Sequence, residues 1–268
     1  MSVDLWWLAY VALGLFAGFM AGLLGIGGGA VMVPLLAMIF AAQQFPPEQM
    51  LHLALGTSMA TIIFTAVSSL RAHHKHGAVM WETLWAFTPG VLVGTLIGTQ
   101  IAARVSTRGL ALFFALFISC VAVQMALNFK PKPHRELPGK GGLGLAGGII
   151  GALSSLVAIG GGSLTVPYLA WCNVPVRRAI GTSAALGLPI AFFGTLGYIW
   201  NGWGEAALPA WSVGYVYLPA LAWVMAGSVV AAPAGARLAH RLPVAALKRV
   251  FAGVLVLLAA KMLHGVIA

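Results

Sequence analysis

Two glycine-rich stretches of this sequence have the residue types of an anion-binding backbone. GIGGGAVMVPLL occupies residues 25–36 and AIGGGSLTVPYL occupies residues 158–169. Three consecutive glycines raise the cost of a helix by about 1 kcal/mol each relative to alanine, so they predict an unwound turn. A helix that begins after such a turn presents free N–H donors and about half a positive charge. We therefore expect each stretch to bind negative charge through main-chain groups.

A second motif that occurs twice supplies hydroxyl groups. The sequence reads GTSMA at 56–60 and GTSAA at 181–185. In membranes, serine and threonine hydroxyls either bond to a carbonyl of their own or a neighbouring helix, or donate to a ligand. Both roles stay open for these residues. Gln100 is a further candidate ligand, although a lone glutamine in an apolar helix serves equally well as a contact between helices.

The glycine pattern also has a formal match to nucleotide-binding motifs. Gly25, Gly27 and Ala30 satisfy G-x-G-x-x-G/A, but they follow an apolar run of membrane length rather than a strand. The chain has no GK[ST] sequence, which excludes a phosphate-binding P-loop. Other glycines recur every four residues, and we assign them to close packing of transmembrane helices. These are Gly14, Gly18, Gly22, Gly90, Gly94 and Gly98.

Composition places the chain in a membrane. Of its 268 residues, 60% are hydrophobic and 7% are charged, and the mean hydropathy is +0.96, which is far from the values of a soluble domain. Several apolar runs approach the ~20 residues that a helix needs to cross the hydrocarbon layer. The first run belongs to the mature fold, because the preceding MSVD has no basic residue of a signal peptide. An all-α, multi-pass protein is predicted.

The two glycine-rich stretches belong to a duplication. They are offset by 133 residues (158 − 25), and 7 of their 12 positions are identical. GTLIGTQIAAR at 94–104 aligns with GSVVAAPAGAR at 227–237 at the same offset. The chain therefore reads as two homologous membrane repeats. We divide it into an N-terminal repeat at 1–128, a cytoplasmic linker at 129–141 and a C-terminal repeat at 142–268.

Each repeat contains five apolar segments, so eight to ten transmembrane or half-helical segments are expected. The second segment of each repeat is short and gives roughly 18 to 21 Å of helix, less than the ~30 Å hydrocarbon core. We expect these two to be half-helices. The segments lie at 5–26, 29–42, 51–70, 83–103 and 109–128 in the first repeat, and at 142–159, 162–173, 178–200, 213–236 and 244–265 in the second.

Basic loops predict the orientation. If the segments alternate in direction, the loops at 71–76, 130–140, 176–178 and 237–242 share one face, which the positive-inside rule makes cytoplasmic. Arg104 and Arg108 fall on the other face. An odd number of segments per repeat favours inverted repeats, in which the two half-helix N-termini approach the midplane from opposite faces and hold one anion. Re-entrant hairpins, with four crossings per repeat, would make the repeats parallel instead.

Several classes of function lack the residues they need. All five acidic residues lie in loops or near segment ends, so no carboxylate is evident at mid-membrane, and coupling to protons or another ion stays open. The net charge of +10 does not predict nucleic-acid binding, because the basic residues lie in short loops. His73, His74 and His76 are typical of a solvated basic face rather than a metal site. We predict no cofactor, no metal and no catalytic residues.

The repeated GxGGG, VPxL and GTS motifs resemble the TauE/SafE family of membrane permeases, also called the TSUP family. The resemblance covers nearly the whole chain and implies transport of sulfite, of sulfonates such as sulfoacetate or toluenesulfonate, or of thiosulfate. Thiosulfate-handling relatives are thought to use cysteines, whereas Cys120 and Cys172 lie outside the motifs here. The resemblance places the substrate-binding site at Gly27, Gly28, Gly29, Thr57, Ser58, Gly160, Gly161, Gly162, Thr182 and Ser183.

The patterns predict an anion permease that works by alternating access, and the resemblance implies that it exports a small sulfur-containing anion across the bacterial inner membrane. Its expected partners are that anion and the lipid bilayer, and the oligomeric state is not predicted. The alternatives are an anion channel or a carrier of another small anion, such as a carboxylate. A membrane-embedded enzyme would need convergent acids, metal ligands or a nucleophile with a base, and the apolar segments have none.

Overall fold

Ten helices make up the described part of the chain, which covers residues 5–24, 28–127, 135–239 and 244–267 of a computed structural model. They fall on the ten predicted segments, so the all-α, multi-pass prediction is confirmed. The helices are α1 Trp6–Leu24, α2 Gly29–Ala42, α3 Met50–Lys75, α4 Trp81–Arg104, α5 Thr107–Ala126, α6 Lys140–Leu156, α7 Gly162–Trp171, α8 Val176–Asn201, α9 Leu218–Ala239 and α10 Val244–Ile267.

Five of these helices are long and apolar enough to cross a membrane. Each candidate span has at least 18 residues, which gives about 27 Å or more at ~1.5 Å per residue. This length matches the hydrocarbon layer. The spans are Met50–Lys75, Trp81–Arg104, Thr107–Ala126, Val176–Asn201 and Leu218–Gly235.

One boundary differs from the expectation. The predicted segment 213–236 begins too early, because β1 Ser212–Val213 and β2 Val216–Tyr217 form an antiparallel hairpin before α9. Gly214 has a positive φ of 53° in the turn between the two strands, a conformation that glycine adopts at little cost. Apolar residues in a tight turn are indistinguishable by hydropathy from the first turn of the following helix.

The predicted half-helices are present, and both begin after a left-handed glycine. Gly28 precedes α2 with φ 71°, and Gly161 precedes α7 with φ 75°. The two helices have 14 and 10 residues, or about 21 and 15 Å. Both are too short to span the hydrocarbon layer alone. Residues 25–27, including the predicted site residue Gly27, lie outside the described residues.

Glycines bring two pairs of helices into close contact. A Cβ atom on Gly14 or Gly18 of α1 would overlap the backbone of α9, and one on Gly90 or Gly94 of α4 would overlap the backbone of α6. In both pairs the contacts advance in the same direction along both chains, so the paired helices run parallel. The predicted packing role of these four glycines is confirmed.

The main helix pairs join the first five helices to the last five. The first helix of each five packs against the fourth of the other five, as α1 with α9 and α6 with α4, and the third and fifth pack on their counterparts, as α3 with α8 and α5 with α10. In addition, α4 and α9 begin at opposite ends of α8. The start of α4 lies beside the first turns of α8, while the hairpin before α9 contacts the last turns of α8. Inverted repeats would produce this pattern. The duplication and its boundaries stay predictions.

Loop contacts define two ends of the bundle. At the end that we call inner, the Arg177 guanidinium donates to the His76 carbonyl (3.4 Å), and Arg135 lies 5.1 Å from the Trp171 ring. These groups come from three of the four basic loops predicted to share a face, whereas residues 240–243 of the fourth loop lie outside the described part. At the outer end, the Gln49 amide donates to Glu205 (3.3 Å).

Candidate substrate-binding site

The two glycine turns meet in the middle of the bundle. A Cβ atom on Gly29 would overlap the carbonyl oxygen of Ala158, which lies two residues before Gly160. Such a Cβ atom would also lie 3.0 Å from Ile62 of α3, and one on Gly160 would lie 3.4 Å from the same side chain. The structure therefore brings the start of α2 and the turn before α7 together beside Ile62 of α3.

Both half-helices present main-chain donors at these turns. The Gly28 carbonyl accepts bonds from the Val31 and Met32 amides, and the Gly161 carbonyl accepts from the Leu164 and Thr165 amides. The N–H groups of the residues before these, in the first turn, have no partner within the helix. Their combined dipole attracts negative charge to this position. Gly28, Gly29 and Gly161 thus shape the two helix starts.

A cavity of about 370 Å³ leads to the start of α7. Of the predicted site residues, Gly160, Gly162 and Ser183 line it. The rest of its wall comes from α1, α3, α8 and α9, and it reaches the surface through exposed residues such as Ser68 and Ala72 in the inner half of α3. The inner end of the molecule is therefore open to the glycine turn of α7.

The two threonines of the repeated GTS motif make matching structural hydrogen bonds. The Thr57 hydroxyl accepts from the Tyr217 amide, and the Thr182 hydroxyl accepts from the Met80 amide, each at 3.0 Å. Tyr217 and Met80 directly precede α9 and α4. Each threonine is fully buried and ties its helix to the start of a helix in the other half of the chain.

The two serines of the motif are left without partners. Ser58 and Ser183 are 0% and 1% exposed, and neither hydroxyl has a hydrogen-bond partner among the described residues. A buried hydroxyl left unpaired costs about 1–3 kcal/mol, so a protein retains such a group where a ligand or water uses it. Ser183 lines the cavity. The sequence left both a structural role and a ligand-binding role open for the threonine and the serine of each GTS motif. In the described part of the structure the threonines are hydrogen-bonded and the serines are not.

Some residues of the cavity were not among the predicted site. The hydroxyls of Thr65, Ser68 and Ser69 line it together with His73, all on α3. Ser68, Ser69 and His73 follow Thr65 by three, four and eight residues, which places all four on one helical face. This row of polar residues in an apolar segment could have been recognised in the sequence. Conversely, Gln100 is half-buried on α4 and is not part of the described lining.

The described lining of the cavity carries little charge. His73 is its one ionisable side chain, at the inner end, so the other donors that the described lining offers a ligand are main-chain amides and hydroxyls. No group of three or more His, Cys, Asp or Glu residues is placed to hold a metal in the described ranges. Cys172, beyond α7, also lies outside the lining.

Aromatic rings pack together at the outer end of the bundle. Tyr10, Phe40, Phe45 and Tyr217 form what we call the outer aromatic cluster, in which Phe40 stacks on Phe45 at 5.0 Å and Phe45 meets Tyr217 edge-on at 5.1 Å. Tyr10 also donates a hydrogen bond to the Gln43 side chain at 2.7 Å. This cluster packs α1, α2 and the hairpin before α9 together, opposite the open inner end.

Comparisons with known proteins agree with this architecture. The profile of the family described as sulfite exporter TauE/SafE matches residues 10–262. A probable membrane transporter protein of Haemophilus influenzae is 35% identical over 93% of this chain and 95% of the relative. One from Methanocaldococcus jannaschii is 27% identical, with 82% and 81% covered. YunE of Bacillus subtilis, also named a probable membrane transporter protein, is 28% identical, with 65% and 71% covered.

No solved structure shows a significant match to this chain. The family profile, by contrast, covers nearly all of the chain, and the matched residues include all of α2 to α9, both glycine turns and most of α1 and α10. The chain belongs to the TauE/SafE family of membrane proteins.

Proposed function

We propose that this protein exports a small sulfur-containing anion, such as sulfite or an organosulfonate, across the bacterial inner membrane. The family description supports sulfur-containing substrates. The observation that carries the proposal is the cavity that ends at the start of α7, beside the buried and unpartnered Ser183 hydroxyl. An anion seated there would accept hydrogen bonds from the Ser183 hydroxyl and from first-turn amides of α7.

The charge of the site favours a singly charged ligand. A helix N-terminus offers roughly half a positive charge, and the described lining adds no lysine or arginine. Such a site offsets the desolvation of one negative charge better than that of two. Phe64, Val229 and several alanines of the lining suit the apolar body of an organosulfonate. The cavity therefore accommodates a hydrogen sulfite ion or a larger organic monoanion.

Alternating access follows from the two ends of the path. In this proposal the anion enters the cavity from the inner end, and the outer aromatic cluster closes the outer end. If α1–α5 and α6–α10 are inverted repeats, the reverse arrangement would open the outer end toward Ser58 and the start of α2. Export follows when the anion enters at the inner end and leaves at the outer one. The closed outer half also favours a carrier over a channel.

Counterflow of labelled sulfite in proteoliposomes tests the proposal. A carrier exchanges labelled for unlabelled sulfite and saturates, whereas a channel does not saturate and an enzyme or a scaffold shows no exchange. Ser183→Ala is expected to raise the half-saturating sulfite concentration about ten-fold, because it removes a hydrogen bond to a charged ligand. Ser119→Ala is the matched control, since the Ser119 hydroxyl bonds to the Ala115 carbonyl of its own helix.

Absence of saturable exchange of sulfite and of toluenesulfonate by the folded protein would refute the transport proposal. Equal half-saturating concentrations for wild type and Ser183→Ala would instead remove Ser183 from the site.

A further inference from the structure

A second pair of unpartnered hydroxyls flanks the glycine turn before α7. Ser154 lies in the last turn of α6, and Thr165 lies in the first turn of α7. Both residues are 0% exposed, and neither hydroxyl has a hydrogen-bond partner in the part of the chain that the structure describes. A Cβ atom on Gly161 would lie 3.4 Å from the Thr165 hydroxyl and 3.9 Å from that of Ser154. The two oxygens therefore converge on one short piece of backbone.

Thr165 does not make the bond that two other buried helical threonines make. The hydroxyls of Thr61 and Thr195 each donate to the carbonyl four residues earlier, at 2.9 and 2.7 Å. The Gly161 carbonyl, four residues before Thr165, accepts the Thr165 amide but not the Thr165 hydroxyl. The Thr165 hydroxyl is left over, at a cost of about 1–3 kcal/mol if nothing binds it.

The fold of the turn does not require these hydroxyls. At the offset of 133 that aligns the glycine stretches, Ala21 replaces Ser154 and Met32 replaces Thr165. The turn at Gly28 nevertheless has nearly the same left-handed φ, and the Ala21 methyl group lies 3.2 Å from where a Gly28 Cβ atom would be. Only one of the two similar turns therefore has the polar pair, and the other turn forms without it. This indicates that the two hydroxyls bind a ligand rather than stabilise the turn.

We propose that Ser154 and Thr165 bind a small monovalent cation, with sodium as the probe. Hydroxyl oxygens suit a hard cation, and the carbonyl end of α6 adds the negative pole of its helix dipole, which opposes the positive pole at the start of α7. Neutral oxygen ligands offset the desolvation of a single charge but not of two, and no metal-binding group of acidic residues, histidines or cysteines is found in the described part of the chain. Broken transporter helices hold sodium with groups of this kind.

The cation site lies on the other side of the glycine turn from the anion site. Gly160 and Gly162 line the cavity, whereas the hydroxyls of Ser154 and Thr165 lie beside Gly161. Opposite charges held this close attract, so each ligand raises the affinity for the other by the same factor. This coupling rests on the proposed function, whereas the cation site itself does not.

Thermal unfolding of the purified full-length protein tests the cation site directly. Sodium chloride is expected to raise the melting temperature saturably above its value in choline chloride at equal ionic strength, because sodium binds only the folded state. Ser154→Ala combined with Thr165→Val is expected to weaken sodium binding by about ten-fold or more, while Ser119→Ala keeps it. Equal wild-type melting temperatures in the two salts would overturn the inference and leave water as the occupant.

A sulfite titration in the two salts separates this inference from the proposed function. We expect sulfite to bind at least about five-fold tighter in sodium than in choline, within the usual range of coupling between sites. Sulfite binding with no sodium effect on either affinity or melting temperature would overturn the cation site and leave the transport proposal standing. Stabilisation by sodium without any sulfite binding would support the cation site and contradict sulfite as the transported anion.

Discussion

At the scale of single residues, neighbours in the GTS motif have different roles. Thr57 and Thr182 accept hydrogen bonds from main-chain amides that are 160 and 102 residues away in sequence. Ser58 and Ser183 are equally buried but unpartnered among the described residues. The threonines therefore hold the helices in place, and the serines are the better candidates to contact a ligand.

Replacement of Thr182 by valine is expected to lower the free energy of unfolding by about 1–3 kcal/mol, because the Met80 amide loses its acceptor. Thr195→Val in the same helix is the control. Its hydroxyl donates to the Ala191 carbonyl, which keeps its helical bond in the variant. Thermal or denaturant unfolding in detergent measures both, and an equal loss for the two variants would contradict the role of Thr182.

At the scale of elements, glycines set how closely the helices approach. In the α4–α6 pair, a Cβ atom on Gly94 would overlap the Gly148 carbonyl, so even alanine forces the helices apart. Lipid supplies no hydrophobic drive between helices, and their association depends on this close packing. The backbones of the parallel pairs α1–α9 and α4–α6 are therefore held close together.

Gly94→Ala is expected to destabilise the protein by about 1–3 kcal/mol, the usual cost of overpacking. Gly253→Ala in α10 should be neutral or stabilising, because a Cβ atom there meets nothing within 4 Å and alanine favours helix. The melting temperatures of the two variants, each compared with that of the wild type, test this prediction. If Gly94→Ala were as stable as wild type, the close α4–α6 contact would be wrong.

At the scale of the whole molecule, the two ends differ in what they contain. The cavity connects the inner end to the start of α7, while the outer aromatic cluster packs together at the opposite end. The inner end carries the basic residues Arg135 and Arg177, which the positive-inside rule assigns to the cytoplasm. The proposed carrier would therefore face the cytoplasm in this structure.

This orientation predicts which positions an impermeant thiol reagent reaches. In a background of Cys120→Ala and Cys172→Ala, Ser69→Cys in the cavity should react in inside-out vesicles but not in intact cells. Ala207→Cys, exposed in the outer loop, should react in intact cells. The reverse pattern would show that the inner end faces outward. Sulfite added in excess should protect Ser69→Cys and leave Ala207→Cys unaffected.

Much of the fold could be predicted from the sequence because its causes are local. The length of an apolar run decides whether a helix can span the hydrocarbon layer, and consecutive glycines decide where a helix breaks. The two half-helices and the left-handed glycines before them follow from those features. The hairpin before α9 could not be predicted, because its turn lies within apolar residues that hydropathy reads as helix.

Only the tertiary structure decided the helix pairing, the open end and the roles of the polar residues. Whether a hydroxyl is paired depends on an amide that lies far away in sequence, as Met80 does from Thr182. For the same reason, the sequence showed that Ser154 and Thr165 replace Ala21 and Met32, but not that both are buried around one turn. Repeated sequence determines which elements form, while packing across the two halves determines which of their polar groups stay available for ligands.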